Sequence, residues 1–129
     1  MDHSRLEKKP DPVAMAAFYR KNSAPYQKKG FEELLRYVST LVDILKAKGS
    51  PVYVVRLPTE DAVLALENEL FSRRKFWDLM RQNVDAPFIH FEDFPELAGY
   101  VSADGSHIAA DGTEEFTRQL ASVLHANGL

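Results

Sequence analysis

Residues 51–58 are Pro51-Val52-Tyr53-Val54-Val55-Arg56-Leu57-Pro58. β-Branched and aromatic residues follow one another here without alternating with polar ones, as is typical of a strand covered by helices on both faces of a parallel sheet. A second, shorter strand is predicted at residues 86–91. The segment between the two strands has the length of a helical crossover, so the centre of the chain is predicted to be a βαβ unit.

One helix is predicted directly before the first strand. Its apolar residues recur at the three-four spacing of one helix face. Lys46, Lys48 and Gly49 are typical of a helix C-terminus, so the helix is predicted over residues 31–48. The apolar face consists of Phe31, Leu34, Leu35, Val38, Leu41, Val42 and Leu45.

Two further helical regions are predicted after the first strand. Thr59 is expected to cap the crossover helix, which is interrupted near Ser72 before the second strand. The last helix is expected to begin where Asp111 and Glu114 stand in capping-box register. Its predicted buried residues are Phe116, Leu120, Val123 and Leu124.

Composition limits the class of protein. The chain has 129 residues, of which 45% are hydrophobic, and a net charge of -3, which predicts one small folded domain. A weakly acidic chain has no field that would hold a polyanion, so no nucleic-acid partner is expected. The chain contains no Cys, which excludes disulfides, thiolate metal sites and a Cys nucleophile.

The chain is expected to divide into residues 1–30, an N-terminal extension with a short helix near residues 13–19, and an α/β domain over residues 31–129. Residues 1–10 have no apolar run that would form a signal-peptide core, and no stretch is long enough for a membrane span. As written, the sequence predicts a cytoplasmic chain, and an exported parent protein is left open.

The residues with the clearest chemistry are Asp104-Gly105-Ser106-His107, in a long polar connection before the last helix. At this spacing in a turn, Asp104 can accept the Nδ1 proton of His107 and leave Nε2 as a base. Such a pair is the His-Asp part of a Ser-His-Asp triad. Ser106 lies between the two and has no independent scaffold, so it is not expected to be the nucleophile.

The SGNH or GDSL-type esterases and acyltransferases have a similar last motif, a DxxH followed by a closing helix. The resemblance runs through Ser102-Ala103-Asp104-Gly105-Ser106-His107-Ile108-Ala109-Ala110-Asp111-Gly112 and into Phe116-Thr117 and Leu120. It implies a partial flavodoxin-like, three-layer α/β fold with a small parallel sheet. It also implies that His107 is the general base, that Asp104 orients it, and that the substrates are esters or acetylated carbohydrates. No cofactor and no metal are predicted.

The family's other motifs are missing. The nucleophile normally lies in a Gly-Asp-Ser after the first strand, whereas Asp104-Gly105-Ser106 has another order and place. The oxyanion-hole motifs are also unrecognisable, since Asn22 lacks the expected glycine context. The resemblance therefore covers residues 31–129 and implies the His-Asp half of a site whose serine belongs to another segment or another chain.

Alternative interpretations remain for several other residues. His90 and Glu92, with Asp93 and His107, would offer nitrogen and oxygen ligands to a metal ion. The basic trio at residues 73–75 would bind an anion or a membrane surface, although such a trio on a helix of mixed charge is usually a solvated face. A group of aromatic residues would either line an acyl pocket or belong simply to the core: Phe71, Phe76, Trp77, Phe88, Phe91, Phe94 and Tyr100. Trp77 is in addition a candidate for a partner surface.

The small number of predicted strands suggests a second function. A two-stranded sheet is marginal in water and leaves two apolar edges. The alternative to an esterase or acyltransferase is therefore a non-catalytic domain that forms a homo-oligomer, or binds a complementing chain, through its open sheet edges. In a dimer, the strand at residues 52–57 or its neighbour is expected near the shared surface.

Overall fold

The structure is a computed structural model that describes residues 11–26 and 29–129. The polar start of the predicted extension, residues 1–10, lies outside the described residues. The predicted short helix is present as α1, Pro12–Ser23, and it contacts the crossover through an ion pair between Arg20 and Glu69 at 2.9 Å.

Two short parallel strands form the sheet. Strand β1 is Val54–Arg56 and strand β2 is Phe88–His90. Val54 pairs with Phe88 and Arg56 pairs with His90, so the carboxyl ends of both strands lie side by side at the same end of the sheet. Both strands are shorter than predicted. One reason is that Pro87, directly before β2, has no N–H to extend the ladder.

Helices account for most of the other described residues, so the molecule is a mixed α/β structure with a small parallel sheet. The crossover consists of two helices with a break at residues 71–76, which confirms the interruption predicted near Ser72. The α-helices after α1 are α2, Lys29–Ala47; α3, Asp61–Leu70; α4, Trp77–Asn83; and α5, Thr113–Ala126. Short 3₁₀ helices are Ala24–Tyr26, Phe91–Asp93, Pro95–Leu97 and Ala110–Gly112.

The predicted helix cap at Thr59 is wrong. Helix α3 begins at Asp61, and its N-cap residue Glu60 makes no side-chain cap hydrogen bond. Thr59 is buried, and its Oγ1 donates to Glu67 Oε2 at 2.7 Å while accepting from Arg56 at 3.3 Å. Arg56 also forms an ion pair with Glu67. Thr59 therefore helps to tie the last residue of β1 to the middle of α3, which is a long-range role that local spacing does not reveal.

The predicted capping box of α5 is also wrong. The helix starts at Thr113, after the 3₁₀ turn, and its N-cap Gly112 has no side chain to cap with. The carboxylate of Glu114 instead pairs with Arg118, one turn further along, at 2.9 Å. Helix α5 does bury Phe116 and Val123 as predicted, while Leu120 and Leu124 are partly buried against the same core.

The main core lies between β2, α5 and the irregular segment that follows β2. Ile89 and Leu97 are each only 1% exposed at its centre. Helix α2 is much less well covered: Phe31 and Val42 are buried, but Leu41 on the same predicted face is 42% exposed. Within the described residues, no helix is both long and apolar enough to cross a membrane.

Candidate functional site

The loop at residues 102–107 is organised around the carboxylate of Asp104. Its Oδ1 accepts hydrogen bonds from the backbone N–H groups of Ser106, at 2.9 Å, and His107, at 3.0 Å. The hydroxyl of Ser102 donates to the same oxygen at 2.8 Å. An Asp side chain that accepts from the backbone two and three residues later is the usual stabiliser of such a turn. One carboxylate oxygen therefore holds the loop in shape.

Gly105 attaches this loop to the start of α3. The N–H of Glu60 donates to the carbonyl oxygen of Gly105 at 2.9 Å. Gly105 has φ +78, and a Cβ at this position would lie 2.9 Å from the carbonyl oxygen of Glu60 and 3.0 Å from Cγ2 of Val63. Both the left-handed backbone and the close approach require glycine. The loop therefore lies against the N-terminal turn of α3.

This contact places the loop near the carboxyl end of β1, because Glu60 follows that strand by only four residues, after Arg56. Ligands of open α/β sheets bind beyond the carboxyl ends of the strands. The antiparallel bridge between Val101 and Ile108 closes the base of the loop. The loop is thus fixed to the first turn of α3, the helix that directly follows β1.

Asp104 and His107 are in direct contact. His107 Nδ1 lies 2.7 Å from Asp104 Oδ2, the carboxylate oxygen that the backbone does not use. The side chain of Asp104 is 14% exposed, whereas that of His107 is 63% exposed. A neutral imidazole that donates from Nδ1 keeps its lone pair on Nε2. Across residues 11–26 and 29–129, Nε2 has no hydrogen-bond partner, so it is available as a base.

The hydrogen bonds keep Asp104 ionised. Burial of the carboxyl opposes ionisation, but the backbone N–H groups of Ser106 and His107, the Ser102 hydroxyl and the His107 ring together outweigh it and lower the pKa of Asp104 to about 2. An ionised carboxylate fixes the imidazole tautomer and stabilises an imidazolium when one forms. The pair can therefore accept and return a proton at Nε2.

Ser106 lies on the wrong side of the imidazole to be its nucleophile. Its Oγ is 3.1 Å from His107 Nδ1, the nitrogen already engaged by Asp104. A serine activated by this histidine would have to reach Nε2. The geometry agrees with the sequence-based expectation that the attacking oxygen comes from elsewhere.

The alternative metal site does not form. His90 lies near Glu92, with Nδ1 3.6 Å from Oε2, but the carboxylate of Asp93 is bound by Arg73 at 2.6 Å. In the part of the chain that the structure describes, no group of three or more metal-ligating side chains comes together. The predicted set of His90, Glu92, Asp93 and His107 is therefore wrong as a ligand cluster.

The basic trio and the aromatic group each separate into two parts. Arg73 pairs with Asp93, whereas Arg74 and Lys75 are exposed. Phe94 and Tyr100 pack against the main core. Phe91 belongs to the same core, and together with Phe71, Phe76 and Trp77 it also lines a cavity of about 470 Å³. Phe88, the first residue of β2, is in edge contact with Trp77.

The sequence reasoning missed the burial of His90, which is 6% exposed, and the ion pair of Arg56 with Glu67. A signal was present for Arg56, because it is the one charged residue within an otherwise apolar strand sequence.

No protein-family model matches the chain, and neither do curated protein sequences or solved structures.

Substitution of Gly105 tests the attachment of the loop to α3. We expect Gly105→Ala to lower the free energy of unfolding by about 3 kcal/mol, because it adds a steric clash to the cost of a left-handed backbone. Gly99 is the matched control, since it has φ +82 but open space around a Cβ. Gly99→Ala should cost only about 1 kcal/mol. Equal losses in urea denaturation would show that the loop does not lie tightly against Glu60.

Replacement of Asp104 by Asn tests the charge. The pKa of the folded carboxyl is about 2, below its ordinary value of 3.8, so ionised Asp104 stabilises the fold above pH 4 and loses this effect as the pH falls through about 2. We expect Asp104→Asn to lower the free energy of unfolding by about 2 kcal/mol at pH 7. The deficit should shrink steadily towards pH 2. Exposed Asp111→Asn is the control, and a deficit of Asp104→Asn that does not change with pH contradicts the assignment.

Proposed function

We propose that this chain is the C-terminal part of an SGNH-like ester hydrolase or O-acyltransferase and carries the His-Asp half of a Ser-His-Asp triad. His107 acts as the general base and Asp104 orients it. The serine and the oxyanion donors come from another segment of a flavodoxin-like parent fold or from another chain. The observation that carries this proposal is the 2.7 Å contact between Nδ1 and the carboxylate, which leaves Nε2 free.

The proposed reaction needs only proton transfer from this chain. Nε2 of His107 takes the proton of the incoming serine hydroxyl as its oxygen attacks the ester carbonyl, and then returns that proton to the leaving alcohol. Asp104 stays ionised throughout and stabilises the transient imidazolium. Water, or an acceptor hydroxyl in a transferase, repeats the sequence to release the acyl group.

The exposure of His107 is consistent with a site shared between two segments. At 63% exposure, the imidazole has room for a serine and a substrate to approach from outside the described residues. The parallel pair of strands and the position of the loop at the carboxyl end of β1 support the same family of folds. Esters, including acetylated carbohydrates, are the proposed substrates.

Hydrolysis of 4-nitrophenyl acetate tests the availability of Nε2. An imidazole with a free ring nitrogen hydrolyses this activated ester slowly without a serine, so the isolated chain should show a slow rate. We expect His107→Gln to remove most of that rate, because the ionised carboxylate of Asp104 both fixes the tautomer and stabilises a positive charge on the ring. His125→Gln is the matched control, since His125 is also exposed and its Nδ1 also has an acceptor, but that acceptor is the neutral carbonyl of Leu129, at 3.1 Å.

A fluorophosphonate probe tests where the nucleophile lies. The isolated chain should not be labelled, because Ser106 is not placed at Nε2. Stoichiometric labelling that Ser106→Ala abolishes would contradict the proposed division of the triad. Equal hydrolysis rates for His107→Gln and His125→Gln would contradict the role of His107.

A second candidate function is assembly. Within the described residues, β1 and β2 pair only with each other, so each has an outer edge without a strand partner. Helix α2 adds an exposed apolar surface, with Tyr37 67%, Leu41 42% and Ile44 47% exposed. A contiguous apolar patch of this kind is typical of an interaction surface.

Light scattering with surface variants tests assembly. If the chain is an assembly domain, it forms a dimer that Leu41→Lys together with Ile44→Lys dissociates, because charges are costly in an apolar interface. Glu32→Lys together with Asp43→Lys places two lysines on exposed polar positions of α2 outside this patch and should leave the dimer intact. A monomer at all concentrations, with the ester chemistry described above, argues against this second function.

A further inference from the structure

A cavity of about 470 Å³ lies at the carboxyl ends of both strands. Arg56 and His90, the last residues of β1 and β2, both line it, together with residues of α2, α3 and α4. This volume falls within the range of about 300–1,000 Å³ that is usual for small-molecule sites. Residues 102–107 do not line the cavity, so it is separate from the loop that carries Asp104 and His107.

Aromatic rings shape the wall of the cavity. Phe76 makes edge-to-face contacts with Phe31, at 4.7 Å between ring centroids, and with Phe71, at 5.0 Å. Trp77 and Met80 complete the apolar wall. Because these rings hold one another in place, the cavity is largely preformed for an apolar ligand.

The charges at the polar side of the cavity are already compensated. Arg56 is paired with Glu67, and Arg73 is paired with Asp93 at 2.6 Å and lies 3.6 Å from Glu92. An anionic ligand would have to break one of these pairs before it gained a cation of its own. The site therefore favours a neutral ligand.

His90 is the most deeply buried polar residue of the cavity lining, and among the described residues its side chain lacks a complete set of partners. It is 6% exposed, stacked on Phe91 at 5.2 Å and in edge contact with Trp77 at 5.0 Å. Its Nδ1 accepts a hydrogen bond from the backbone N–H of Glu92 at 3.3 Å. Its Nε2 has no partner anywhere in residues 11–26 and 29–129.

The protonation of His90 follows from these contacts. Burial lowers the pKa of His90, with Arg73 and Arg56 acting in the same direction and the carboxylates of Glu92 and Asp93 opposing them. The imidazole is therefore neutral near pH 7. Since Nδ1 is the acceptor, the proton is on Nε2, which is then a donor without an acceptor among the described residues. A ligand oxygen in the cavity would supply the acceptor that the described part of the protein does not give to this N–H.

We propose that this cavity binds a neutral, largely apolar small molecule whose carbonyl oxygen accepts a hydrogen bond from Nε2–H of His90. The aromatic wall supplies the affinity and the imidazole supplies the selection for a carbonyl. The proposal shares no residue with the His107 site and does not depend on the function proposed for it.

Binding of acetophenone and isopropylbenzene to the isotope-labelled chain tests this proposal by NMR. The two probes have nearly the same shape, but only acetophenone has a carbonyl. Trp77 is the single Trp of the chain, so its indole N–H reports occupancy without ambiguity. Both probes should shift this resonance saturably, and only acetophenone should move the Nε2–H resonance of His90 as expected for a new hydrogen bond.

Substitutions of His90 test the selection. His90→Phe removes the donor, so acetophenone should lose one hydrogen bond while isopropylbenzene loses none. The ratio of the dissociation constant of acetophenone to that of isopropylbenzene should therefore rise about fivefold. His90→Gln keeps an N–H donor and should retain most of the preference. An unchanged ratio in His90→Phe, or an Nε2–H resonance in the unaltered protein that responds equally to both probes, would overturn the proposed hydrogen bond.

A cavity-filling variant tests the location. Asn68 lines the cavity from α3, so Asn68→Phe should place a ring there and weaken both probes. Ser122→Phe is the matched control, because it adds the same ring at an exposed position of α5. Equal binding by both variants, or no saturable shift at millimolar probe, would show that the cavity is not a binding site.

Discussion

The parallel pairing of β1 with β2 determines where both candidate sites lie. Because the strands run in the same direction and end in register, Arg56 and His90 lie side by side at the same end of the sheet. From this end of β1 the chain continues through Thr59 and Glu60 into α3. The loop carrying Asp104 is hydrogen-bonded to this same turn, at the N–H of Glu60. An antiparallel pair would have placed Arg56 and His90 at opposite ends of the sheet. The direction of the strands is therefore the constraint on which both sites depend.

The loop at residues 102–107 shows that folding and chemistry use the same carboxylate. Asp104 Oδ1 accepts the hydrogen bonds that shape the turn, while Oδ2 receives the imidazole. The bonds that stabilise the loop also keep the carboxyl ionised, since they lower its pKa to about 2 although burial opposes ionisation. A loop held in this way needs no separate framework to orient His107, which explains how a small domain can present a base at its surface.

The features that sequence predicted well are those fixed by neighbours along the chain. The βαβ centre and the break near Ser72 follow from hydrophobic pattern, and the contact of Asp104 with His107 follows from a spacing of three residues across a glycine turn. Thr59 was misassigned because its hydroxyl bonds to Glu67, eight residues away, instead of capping α3. The capping box of Asp111 and Glu114 was misassigned because a 3₁₀ turn delays the start of α5 and makes Gly112 its N-cap. The burial of His90 depends on rings and charges brought together by the fold, so no local pattern predicts it.

The two histidines illustrate how the neighbour of Nδ1 decides what Nε2 can do. In His107 an ionised carboxylate takes the Nδ1 proton, and the exposed Nε2 is left as an acceptor suited to proton transfer. In the buried residue His90 a backbone N–H occupies the Nδ1 lone pair, and Nε2 is left as a donor suited to recognition. The same imidazole thus has opposite polarity at the two sites. Exchange of a carboxylate for an amide N–H is sufficient to produce this difference, because a neutral ring carries only one proton.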